Sequence, residues 1–145
     1  MQIKSIFDKM DYGSAPESAL EAQNWLKKHK YNFGNFINGK WKSCEDHFDT
    51  INPANDEILA KIGQSSPTDI DHAVKAAKAA QKKWSKENDH KRARILYAIA
   101  RLLQKNSRLF AVLETLDNGK PIRESRDIDI PLAQRHFYYH AGMAQ

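Results

Sequence analysis

Apolar positions change their period twice along the chain. The first stretch is helical. Ala19, Ala22, Trp25 and Leu26 form a stripe, Ser14 stands where an N-cap is needed, Pro16 falls in the first turn and Glu17 completes a capping box. Gly34 closes this unit. Short strands follow. Asn38-Gly39 is a strong hairpin signal, because a type I′ turn needs positive φ at both central residues, and Phe36-Ile37 and Lys40-Trp41 are the flanking strand ends. The polar stretch from Lys42 to His47 reads as a loop, Phe48 to Ile51 as a strand, Asn52-Pro53-Ala54-Asn55 as a turn and Ile58 to Ile62 as the returning strand.

From Ser66 the period is helical again. Ser66, Pro67 and Asp69 form a second N-terminal signature, and Ile70, Ala73, Val74, Ala77 and Ala80 recur at helical spacing up to Trp84. Ile95, Leu96, Ile99, Leu102 and Leu103 mark the next helix. Leu109, Phe110, Leu113 and Leu116 mark a third that stops at Gly119, with Pro121 just beyond. A fourth is predicted from near Asp127, with Pro131 in its first turn, through Phe137, Tyr139 and Met143. The stripes read as core. At Gln145 the pattern is still in progress, without a cap or stop signal, so the expectation is of an incomplete chain. Two strand pairs and four or five helices make an α+β unit, mainly helical, with no repeat and no low-complexity segment.

Composition bounds the class rather than the function. The 145 residues are 41% hydrophobic and 28% charged, as in a globular domain, and no apolar run approaches the roughly 18 residues that cross a bilayer. The N-terminus mixes apolar, basic and acidic residues, unlike a signal peptide. One cysteine excludes an internal disulfide and fits a cytoplasmic setting. A net charge of +5 raises nucleic acid as a partner, but Lys75, Lys78, Lys82 and Lys83, then Lys91, Arg92 and Arg94, are interleaved along two amphipathic helices as solvated faces are. Neither zinc-finger spacing nor an RNP-type strand accompanies them. No nucleic-acid or membrane partner is expected.

Candidate chemistry is thin. Cys44 has Glu45 and Asp46 beside it and lies in a predicted surface loop, a poor setting for a nucleophilic thiolate. Of the six histidines only His136 and His140 share a helical face, with no Cys, Asp or Glu nearby in sequence to complete a metal set. The six glycines are isolated, so no glycine-rich phosphate cradle is present. Asp127 and Asp129 are an acid pair that reads as capping or solvated carboxylates before general acid–base groups.

Five segments, in order and at matching spacings, resemble the aldehyde dehydrogenase family. They are Phe36-Ile37-Asn38-Gly39-Lys40-Trp41, Thr50-Ile51-Asn52-Pro53-Ala54, Asp71-His72-Ala73-Val74-Lys75-Ala76-Ala77, the run Leu113-Glu114-Thr115-Leu116-Asp117-Asn118-Gly119-Lys120-Pro121, and Tyr138 to Gly142. The match covers about residues 34–145. Residues 6–26 are similar to the extension of a family-sixteen-like branch, which divides the chain into an extension, 1–34, and the N-terminal part of an aldehyde dehydrogenase domain, 35–145.

The resemblance implies an N-terminal piece of the family's α/β fold, and an oxidoreductase that turns an aldehyde into a carboxylic acid with NAD or NADP. In that chemistry a thiolate attacks the aldehyde, hydride passes to the dinucleotide, and a glutamate-activated water releases the acid. None of those catalytic groups, and no cofactor loop, maps onto this chain, so no activity and no bound dinucleotide are expected of it alone. One site does map. Some members hold a structural K⁺ or Na⁺ with oxygens at positions matching Thr50, Ile51 and Asp129, a further ligand lying beyond Gln145. The leading expectation is therefore an N-terminal fragment whose partner is the remainder of the enzyme or, through exposed apolar faces, a second copy. The alternative is a stand-alone, non-catalytic interaction or oligomerisation module derived from the family.

Overall fold

The structure, a computed structural model, describes residues 18–145, so Ser14, Pro16 and Glu17 lie outside the described residues. Helix α1 (Leu20–Lys28) carries the first stripe, with Ala22 and Leu26 buried. It starts after Ser18, whose hydroxyl accepts the amide of Leu20 at 3.2 Å. Lys30 and Tyr31, not Gly34, end the unit. Both take positive φ, 56° and 53°, and the turn returns the Tyr31 amide to the Leu26 carbonyl at 3.0 Å.

The strands form two sheets. Strand β1 (Asn32–Phe33) pairs in parallel with β5 (Ile58–Gln64), and β4 (Asp46–Ile51) pairs antiparallel on the other side, giving the order β1-β5-β4. The separate hairpin joins β2 (Asn35–Ile37) to β3 (Lys40–Lys42) through Asn38 (φ 53°) and Gly39 (φ 75°), as a type I′ turn requires. The expected pair of strands is thus three, because β1 is too short to leave a periodic signal. The loop expected from Lys42 to His47 narrows to 43–45, since β3 and β4 run into it from both ends.

Helix α2 (Pro67–Trp84) opens on a reciprocal box: the Ser66 hydroxyl accepts the Asp69 amide at 3.2 Å, and the Asp69 carboxylate accepts the Ser66 amide at 3.0 Å. Helix α3 is Asp89–Lys105, and α4 (Ser107–Asn118) stops at Gly119 with φ 76°. The last helical run begins at Ile122, not near Asp127. A short α5 (Ile122–Glu124) passes through a π-turn (Ser125–Asp129) into α6 (Ile130–Met143). The reason is Pro131, whose ring conflicts with the carbonyl four residues back and which donates no amide; widening the preceding turn accommodates it.

Helix α3 packs along α6, and α4 touches both of them as well as α1. The contacts are close because the buried positions are small: Ala93 and Ala100 on α3, Ala111 and Val112 on α4, and Ala141 on α6. Several predicted core residues are not core. Helix α2 buries no residue, Ile70 is 54% exposed, and Val74, Ile95, Phe110 and Tyr139 are also exposed, while Leu102 and Met143 reach 60% and 69%. Helical periodicity identifies an apolar face, but among the described residues nothing lies over those faces. No helix among the described residues is long and apolar enough to cross a membrane.

Candidate functional site

Polar groups converge where α4 ends. The Thr50 hydroxyl at the end of β4 donates to Asp117 on the last turn of α4, tying the sheet to the helical layer. Just beyond, a side chain at Gly119 would stand 3.2 Å from Pro53, so the Asn52-Pro53 turn lies directly on the helix stop. That turn is held by Asn52, whose side-chain oxygen accepts the Ala54 amide at 3.0 Å. Asn118 receives the Lys120 amide at 2.8 Å and donates to Glu114 at 2.6 Å. Two segments far apart in sequence thus form one clamp.

Lys120 is its centre. Its ammonium donates to Asp129 at 2.5 Å and stands 3.8 Å from Glu114. The hydrogen bond to Asp129 first, and the surrounding carboxylates after it, hold Lys120 above the ordinary lysine value. Behind it Thr115 donates to Ser125 at 3.1 Å, and Ser125 is fully buried in the π-turn. The neighbouring Asp127 receives two hydrogen bonds from Arg126, at 2.6 and 2.8 Å, which lower its carboxyl below the usual range. Asp127 and Asp129 are therefore each paired with a cation of their own.

The three oxygen-bearing positions expected to hold a monovalent cation meet different partners. Thr50 is committed to Asp117 and Asp129 to Lys120. Ile51 is exposed at a register shift, where Thr50 pairs with Ala60 but Ile51 pairs with Ile58. Such a bulge re-aims backbone groups at a sheet end. The residues that organise this region, Glu114, Asp117 and Lys120, lie in the segment that carries the strongest resemblance, yet read alone it signals only a helix stop.

Cys44 is buried, not on the surface as expected. It packs so tightly on β5 that an added Cβ at Gly63 would meet its sulfur at 2.4 Å. The paired glycines Gly34 and Gly63 permit that approach. His136 and His140 are both exposed on α6, with His140 edge-on to Tyr139 at 5.3 Å.

The N-termini of α2 and α3 do not suit a dinucleotide's phosphates. The N-terminus of α2 already spends its Asp69 amide on Ser66 and carries the Asp69 carboxylate, and α3 opens with Asn88 accepting the His90 amide and Asp89 in its first turn. An acid in the first turn repels an incoming anion. What the clamp can do is mechanical: it fixes the sheet, the end of α4 and the start of α6 in one register.

Residues 41–145 match the aldehyde dehydrogenase family. The chain is similar to an aldehyde dehydrogenase of Bacillus cereus solved with NAD⁺, at 32% identity and TM-score 0.78 over 92% of this chain and 26% of that one. It is similar to betaine aldehyde dehydrogenase of Staphylococcus aureus, also with NAD⁺, at 30% identity and TM-score 0.78 over 86% of this chain and 25% of the other. HpcC of Thermus thermophilus aligns at 28% identity and TM-score 0.79, over 88% and 26%. This chain spans about a quarter of the length of those proteins.

Proposed function

Since the chain belongs to the aldehyde dehydrogenase family, we propose that it forms the N-terminal framework of an NAD(P)⁺-dependent enzyme that oxidises an aldehyde to a carboxylic acid, and that it supplies no reacting group itself. The NAD⁺ complexes among the similar structures support that cofactor class. The dinucleotide supplies the hydride acceptor, while this chain's residues hold their own elements in register. Within the family we place it on the family-sixteen-like branch, on residues 6–26, and in the cytoplasm on its single cysteine.

The observation that carries the framework reading is the uncovered apolar faces. Helix α2 buries nothing, and Ile70, Val74, Ile95, Leu102, Tyr139 and Met143 face water at helical spacings. A self-contained domain of this length covers such faces. The remainder of the enzyme covers them, and in the chain alone they drive indiscriminate self-association. Thr50, Ile51 and Asp129 belong to the same proposal as ligands of a K⁺ or Na⁺, on the condition that Lys120 releases Asp129.

Light scattering on the purified chain, with a dye that reports exposed apolar surface, tests this reading. Framework alone predicts polydisperse association and strong dye binding. A monodisperse monomer that leaves the dye dark would refute it. One stable oligomer of defined size would instead favour the stand-alone module.

A further inference from the structure

A cleft of about 420 Å³ opens between the turn that ends α1 and strand β3. Its two sides are held together by one close approach, since a side chain at Gly34 would run into the Lys42 carbonyl. Aromatic rings stand on both sides. On the first, His29 Nδ1 donates to the Trp25 carbonyl at 2.8 Å, and the imidazole stacks on Phe33 at 5.7 Å. On the second, Trp41 tilts against Phe36 at 5.2 Å yet stays 68% exposed.

The polar part of the lining has one sign. It carries Lys30, Lys42 and His29 and no carboxylate. Lys30 is placed by the backbone: it takes φ 56°, and its amide and that of Tyr31 return to Lys27 and Leu26 at 2.9 and 3.0 Å. Elsewhere lysines pair with acids, as Lys91 does with Glu87 and Lys120 with Asp129. Among the described residues neither Lys30 nor Lys42 forms an ion pair. Lys42 acts through space on Asp69, but that carboxylate is already bound by Ser66.

We infer that this cleft binds a small aromatic anion, a flat ring system carrying one carboxylate. Three alternatives fit less well. A metal ion meets two ammonium groups and no anionic ligand. A phosphate needs several donors around one point, and here the amides of His29, Lys30 and Tyr31 are all spent on helix carbonyls. An uncharged ring leaves both ammonium groups unanswered. An aryl carboxylate uses every feature: its ring lies between Phe33 and Trp41, and its charge is shared by Lys30 and Lys42. The volume falls within the range of small-molecule sites, about 300–1,000 Å³. This inference is independent of the framework reading, since it concerns a cleft within this chain whatever covers the outer faces of its helices.

The test is equilibrium dialysis of the whole chain against naphthoate, with naphthamide as the uncharged probe of the same shape; neither measurement requires a monomeric protein. Exposed ion pairs contribute about 0.2–1 kcal/mol each, so two lysines should make naphthoate bind roughly two- to thirtyfold more tightly than naphthamide. Lys30→Gln with Lys42→Gln should remove that preference and leave naphthamide unchanged. Lys78→Gln with Lys82→Gln, which takes the same charge from α2, should leave both probes as they were. Trp41→Ala removes a ring and should weaken both probes by a similar few-fold factor. Equal binding of the two probes to the parent protein would overturn the proposal without reference to any variant. So would an equal loss in the α2 variant, or no saturable binding of naphthoate.

Discussion

Replacing Gly63 with alanine probes the closest approach between β5 and the turn that carries Cys44. The added methyl would meet Cys44 Sγ at 2.4 Å and Cys44 Cβ at 2.9 Å, and would touch Gly34 Cα at 3.4 Å. Carbon atoms rest about 3.5–4 Å apart, so a shift of the order of 1 Å is needed. The sulfur can swing about one torsion. The Cβ cannot, because it is fixed to the backbone between β3 and β4, so the turn itself must move. Overpacking of this kind costs about 1–3 kcal/mol, and the stiffer unfolded chain of an alanine returns about 0.4–1 kcal/mol. The net expectation is about 1–2 kcal/mol of destabilisation, or a Tm lower by roughly 3–8 °C for a chain of this length. Cys44→Ala in the same background removes the sulfur contact but not the Cβ contact. It should therefore recover part of the loss, with a coupling of at least about 0.5 kcal/mol. Urea unfolding followed by circular dichroism, on the parent, both single variants and the double variant, measures every term. If Gly63→Ala is as stable as the parent within about 0.5 kcal/mol, or if the two changes are additive, the packing described for Cys44 is wrong.

Other sites give independent checks. Asp69 sits below its ordinary 3.8 because the Ser66 hydroxyl first, and the Ser66 amide second, favour its carboxylate. Its contribution is therefore complete above 3.8 and fades as pH falls through the lowered value. The stability gap between the parent and Asp69→Asn should be constant near neutrality and close in acid, and a gap that widened in acid would contradict the cap. Gly119→Ala forces a side chain into φ 76° and against Pro53 at 3.2 Å, which should cost about 1–2 kcal/mol by thermal unfolding, with Gly119→Asn milder because asparagine tolerates that region. An alanine variant with an unchanged Tm would remove the clamp's geometric basis. Lys120→Met frees Asp129, so potassium or sodium chloride should raise the variant's Tm above that in choline chloride at equal ionic strength. Equal values would end the cation reading of Thr50, Ile51 and Asp129.

Much of the fold was legible because its signals are local. Asn38-Gly39 fixes a hairpin through its own backbone preferences, Ser66 and Asp69 cap a helix within one turn, and Gly119 ends another by taking a left-handed φ. Signals that depend on distant partners were not legible. Strand β1 exists because β5 lies beside it, and Cys44 is buried because Gly63, far along the chain, leaves it room. The stripes on α2, α3 and α6 name faces correctly as apolar, but whether a face is covered depends on what lies opposite. The same limit governs the site. Thr50 and Asp129 stood out through resemblance, whereas Asp117 and Lys120, which bond to them, sat unnoticed inside a helix-stop motif. The π-turn at 125–129 had one visible cause, Pro131, which reads equally well as an ordinary first-turn proline.

The central claim is that this chain supplies framework and not chemistry. The most direct measurement is NADH formation by the purified chain, free of any longer species, with NAD⁺ and a panel of aldehydes, run beside Cys44→Ser. The account predicts no aldehyde-dependent NADH from either protein. Turnover by the parent that Cys44→Ser abolishes would contradict it, because it would make a thiol packed against Gly63 the nucleophile.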